Sequence, residues 1–133
     1  MISRSSSIPL WLRLAGLLIA VSLFIWIPFE DLGLQWVLIL SAVICAWCAV
    51  RFLLNRVVSG WQMVVWHALA GCLAGLAVAP LAALLMLLKS GLHGHGAPDF
   101  TVDQIQTVFG LVPYLSLSGL LIGLGFGLWR AAK

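Results

Sequence analysis

The chain has 133 residues, 63% of them hydrophobic and 8% charged, with a formal net charge of +3. A water-facing domain carries about 25% charged residues, so this composition excludes a soluble globular fold and leaves an integral membrane protein in contact with the lipid bilayer. The few bases are scattered at the ends of apolar runs, where the rule for membrane orientation accounts for them, and no nucleic-acid partner is expected.

The first apolar run begins at Ile8 after a polar start that holds Arg4. It ends on bulky residues, Phe24 to Phe29, without a small-x-small cleavage pattern, and therefore reads as a retained helix over 9–27. Pro9 suits a first helical position and Pro28 ends the helix. Arg13, one turn inside, can reach back to the membrane surface. The turn that follows is short and predicts antiparallel neighbours. A second helix is expected over 35–54, with Trp36 at one end and Arg51 at the other, closed by a turn that ends on Gly60. The third, over 61–88, would reach about 42 Å against a hydrocarbon core of about 30 Å. It must tilt, kink or protrude, and Pro80 provides a place to kink.

The longest connection starts at Lys89 and is rich in glycine, which argues against helix there. It closes on a well-marked helix start. Thr101 and Gln104 fit a capping box, Phe100 and Ile105 fit a hydrophobic staple, and Asp103 suits the first turn. Val102, Ile105, Val108, Phe109 and Val112 share one face. A short amphipathic helix over about 102–110 is expected on the membrane surface or capping the bundle. The last helix then runs over 113–130. The expected fold class is an all-α integral membrane protein of one domain, residues 1–133. It has four transmembrane helices, with an outer loop and interfacial helix over 89–110.

Charge orients this layout. Arg4, Arg13, Arg51, Arg56, Arg130 and Lys133 fall on one side; Glu30, Asp31, Asp99 and Asp103 fall on the other with Lys89 alone among the bases. Lys/Arg bias places the basic side in the cytoplasm, so both termini are expected to be cytoplasmic, in a bacterial inner membrane or a thylakoid. The basic face would also favour anionic lipid head groups.

Small residues mark where helices touch. Gly119, Gly123 and Gly127 recur every four residues, as do Gly71, Gly75, Ala79 and Ala83. Lipid offers no hydrophobic drive for helices to associate, so close backbone approach along such stripes replaces it. Two uses remain open: packing of the third helix on the fourth within one chain, and contact with another chain, either a second copy or a larger membrane complex. Gly125 adds a further narrow position.

Three groups carry candidate chemistry. Cys45 and Cys48 form a C-x-x-C pair, but well inside the second helix, where cysteines behave as small apolar residues. His93, His95 and Asp99 form the most polar cluster and could hold a metal ion such as zinc or copper, or serve as a docking or proton-sensing loop. His67 lies within the third helix. It could make a structural hydrogen bond, to Ser22, Ser41 or Gln62, or ligate haem or chlorophyll. No Asp or Glu lies in an apolar run, and ion-coupled carriers usually need one there. The leading expectation is a small non-catalytic accessory or assembly subunit of a larger membrane complex. The alternatives are an oligomeric channel or carrier lined by the glycine faces, and a thiol-redox, metal or pigment protein.

Overall fold

A computed structural model describes residues 8–28, 33–54, 56, 60–93 and 100–133, and every regular element among them is an α-helix. The first, α1, runs Leu10–Trp26. Pro9 stands before it as the N-cap, with φ −53° and ψ 143°, rather than at the first helical position. Its ring fixes φ at a value that serves either site, and the extended ψ puts it just outside the helix. The second, α2, runs Leu34–Leu54 and carries Arg51 in its last turn, where a cation complements the helix dipole. Gly60 then turns the chain with φ +57°, a left-handed conformation that glycine adopts without penalty.

The third helix, α3, runs Trp61–His93, 33 residues and roughly 50 Å. It extends past the expected end at 88, through Lys89, Ser90 and Gly91. Glycine in a helix costs about 1 kcal/mol, and packing outweighs that here: Lys89 is 1% exposed and Met86 fully buried in the same turns. Pro80 sits inside this helix without ending it.

The fourth helix, α4, runs Val102–Gly110, and the fifth, α5, runs Val112–Ala131. Both halves of the capping box at the start of α4 are formed. The Gln104 backbone N–H donates to Thr101 Oγ1 at 3.3 Å, and the Thr101 N–H donates to Gln104 Oε1 at 2.8 Å. Phe100 is buried, and Ile105 packs against the same core, as a staple requires. Leu111 alone separates α4 from α5, and its φ −82° and ψ −11° keep it in the right-handed helical region. The short helix expected over 102–110 is present and leads into α5 after a single residue, with its Val108 buried in the core. Pro113, which lacks an N–H, lies just after the break.

Three stretches are long and apolar enough to cross a membrane: Leu34–Leu54, Trp61–Leu92 and Val102–Ala131. With 17 residues, α1 reaches only about 26 Å.

The helices do not close into a ring. Packing is most extensive between α3 and α5, then between α2 and α3, while α1 touches mainly α2 and α4 rests on α3 and α5. The result is a row, α1–α2–α3–α5, with α3 at its centre. The main core lies toward the acidic end of that row. There Trp26 of α1, Val37 of α2, Ala79, Ala82 and Met86 of α3, and Val108 of α4 are buried together with Phe100.

Candidate functional site

The closest packing in the molecule is the seam between α3 and α5. A methyl group added at Gly71 would overlap the backbone carbonyl of Gly119, and one at Gly119 would overlap that of Gly71. Gly75 faces the Leu115 carbonyl, Gly123 faces that of His67, and a methyl at Gly127 would sit 2.8 Å from Val64 Cα. The partners step by about four residues in opposite directions, so the two helices are antiparallel and their stripes stay in register along the seam. Each missing side chain lets a carbonyl of the facing helix approach the backbone, which adds dispersion and weak Cα–H···O contact where hydrophobic drive is absent. Ala79 carries the α3 stripe onward, fully buried, into the core cluster. Gly125 meets nothing within 4 Å and lies on the exposed side of α5.

His67 is built into this seam. The residue is 5% exposed, and its Nδ1 lies 2.7 Å from the Met63 carbonyl, one turn earlier in α3. A carbonyl only accepts, so Nδ1 carries the proton. The partner is the helix's own backbone rather than Ser22, Ser41 or Gln62. Ser22 donates instead to the Leu18 carbonyl at 2.8 Å, while Ser41 Oγ is buried with no hydrogen-bond partner among the described residues. The imidazole stacks on Phe126 of α5, centroids 6.4 Å apart and planes 19° apart.

All three cysteines are free: Cys45 is buried, Cys48 exposed and Cys72 half-buried. Cys45 and Cys48 fall within the unbroken helix α2. Among the described residues, no three His, Cys, Asp or Glu side chains cluster where they could hold a metal ion. His95, Asp99 and the side chain of His93 lie outside the described residues.

Two arrangements gave no clear signal in the sequence. At the acidic end, Lys89 is buried among aromatic rings: its Nζ lies 4.8 Å from the Trp26 ring centroid and 6.0 Å from that of Phe100. Burying a cation is expensive, and the ring faces offset part of that cost through cation–π attraction. The sequence placed Lys89 in a solvated loop, because nothing in the local pattern showed α3 continuing through Gly91. At the basic end, three cations lie over indole or phenyl faces. Arg51 lies 5.5 Å over Trp47, Lys133 lies 3.8 Å over Trp129, and Arg56 lies 4.8 Å over Phe52 and 4.9 Å over Trp66. Arg56 thereby ties the end of α2 to the start of α3. Membrane-interface spacing of Trp and Arg could have suggested such pairs, but not their partners.

Two helices carry accessible, patterned faces: α1, at Leu10, Leu14, Leu17, Val21 and Phe24, and α5, where small residues lie beside the stripe. On α5, opposite the glycine seam, Tyr114, Leu117, Leu121, Leu124 and Leu128 are all exposed. Their spacing of three and four residues in alternation places them along a single stripe, the pattern by which helices pair side by side. Ser118 and Gly125, seven residues apart, narrow the helix beside it.

No protein-family model, curated protein or solved structure matches this chain.

Proposed function

We propose that this chain is a small, non-catalytic, multi-pass protein of a bacterial inner membrane that serves as an accessory or assembly subunit of a larger membrane complex. In this reading α1 is the fourth span, somewhat short for the bilayer, and both termini are cytoplasmic, following the basic residues. The observation that carries the proposal is the exposed stripe on α5. In water such a stripe would simply be buried; in lipid, shape rather than hydrophobicity selects a partner, and Gly125 with Ser118 lets a partner helix approach closely. The glycines of α3 and the inner glycines of α5 are occupied by one another. A channel or carrier lined by them would require the tightest seam in the molecule to open, which favours the accessory role.

The test is purification from native membranes in mild detergent at natural abundance. A heteromeric assembly is expected, with a larger membrane protein in fixed stoichiometry and released by Gly125→Leu while the variant remains folded. Recovery of the wild-type chain solely as a monomer or a homo-oligomer would refute the subunit role. A reporter fused after Lys133 that is active only outside the cytoplasm would refute the topology.

A further inference from the structure

The row of helices leaves an apolar groove of about 690 Å³ between α1 and α2. Trp11 and Trp47 line it near the basic end, Trp26 and Trp36 near the acidic end, and Ala15 and Ala46 leave room between them. Near the basic end, the Trp47 indole N–H donates to the Leu12 carbonyl at 2.9 Å. At the acidic end, Trp26 is held in the core cluster with Val37 of α2. Ser22 is the only hydroxyl-bearing residue lining the groove, and its hydroxyl already donates to Leu18.

Size and polarity decide among occupants. The volume falls within the roughly 300–1,000 Å³ of small-molecule sites. An occupant that matches walls almost without polar groups is a hydrocarbon chain. Trp11 and Trp26 are about 22 Å apart along α1, long enough for an extended acyl chain entering from one leaflet. The charge at the mouth selects the head group. The exposed Arg51 guanidinium stacks on Trp47, a lining residue, at the basic end of the groove. We infer that the groove holds one acyl chain of an anionic phospholipid from the basic-side leaflet, with its phosphate paired to Arg51.

The test measures phospholipid retained by the full chain after exhaustive washing in a phosphorus-free detergent. About one phospholipid per chain is expected, enriched in anionic head groups over the source membrane. Ala46→Phe, which fills the groove, should lower retention roughly tenfold. Arg51→Gln should keep the chain bound but remove the preference for phosphatidylglycerol when the protein is equilibrated with phosphatidylcholine–phosphatidylglycerol vesicles. A second measurement does not depend on how these variants fold. Wild-type protein in vesicles whose phospholipid carries brominated acyl chains should show Trp47 fluorescence quenched well beyond that of Trp66, each read by difference against its Trp→Phe variant. Equal quenching of the two, no retained phospholipid in the wild type, or full retention by a folded Ala46→Phe would overturn the inference. So would cross-linking of Ala46→Cys to a protein helix in place of a lipid.

Discussion

Gly123→Ala puts the smallest possible side chain into the α3–α5 seam. The added methyl would land on the His67 carbonyl, inside van der Waals contact, with the Ala68 Cα only 3.2 Å away. Both obstacles are backbone atoms of a long helix, so neither can rotate aside, and α5 must retreat from α3. Overpacking of this kind costs about 1–3 kcal/mol. Alanine returns up to about 1 kcal/mol of helix propensity, so the net loss should be about 0–2 kcal/mol. Gly125→Ala gains the same propensity and meets open space; it should be neutral or stabilising by up to about 1 kcal/mol. The pair therefore differs by about 2 kcal/mol, a factor of roughly 30 in the folding equilibrium. The assay is reversible unfolding in mild detergent titrated with dodecyl sulfate, read by helical circular dichroism and tryptophan fluorescence. Equal midpoints for the two variants would refute the account of the seam, because both change the same residue type in the same helix and differ only in what the methyl meets.

Three other outcomes follow from the packing. Lys89→Ala removes a fully packed stem and its contacts with Trp26 and Phe100, and should lower stability by about 2–4 kcal/mol; Lys89→Met, which refills the volume without the charge, should recover part of that in thermal melts. Thr101→Ala should cost about 1 kcal/mol and fray the first turn of α4, seen as faster amide exchange over 102–105. The double variant with Gln104→Ala should cost less than the sum of its parts, since the two side chains cap one another's backbone. Trp47→Phe removes the hydrogen bond to the Leu12 carbonyl and should weaken the hold on α1 by about 1 kcal/mol, detected as faster proteolysis or exchange confined to the first helix.

Much of the helical plan was legible in the chain. Apolar runs of twenty residues, Pro28 and Gly60 at their ends, and the Thr101–Gln104 pair are local signals, and local backbone chemistry is what sets such boundaries. The starts and ends of α2 and α4 lie within a residue of the sequence reading for that reason. The end of α3 was not legible. Lys89, Ser90 and Gly91 look like loop residues, and the burial of Lys89 near Trp26 and Phe100, which favours their helical form, is not visible in the local pattern. The stripes at Gly71–Ala79 and Gly119–Gly127 were visible too, yet a stripe states that something comes close without stating what.

The sequence by itself pointed to lipid as the solvent and supplied the charge separation on which the proposed orientation rests. Composition is a property of the chain alone, and so is the separation of six bases from four acids along it. Tertiary structure decided which faces are spent and which remain. It joined the two glycine stripes to each other, put His67 on its own backbone and Phe126, buried Lys89, and left the α1–α2 groove and the outward stripe of α5 uncovered. The physical reason is that in an apolar solvent nearly every helix face is equally hydrophobic. Patterning cannot rank them, and the choice passes to shape and backbone approach, which depend on residues far apart in the chain.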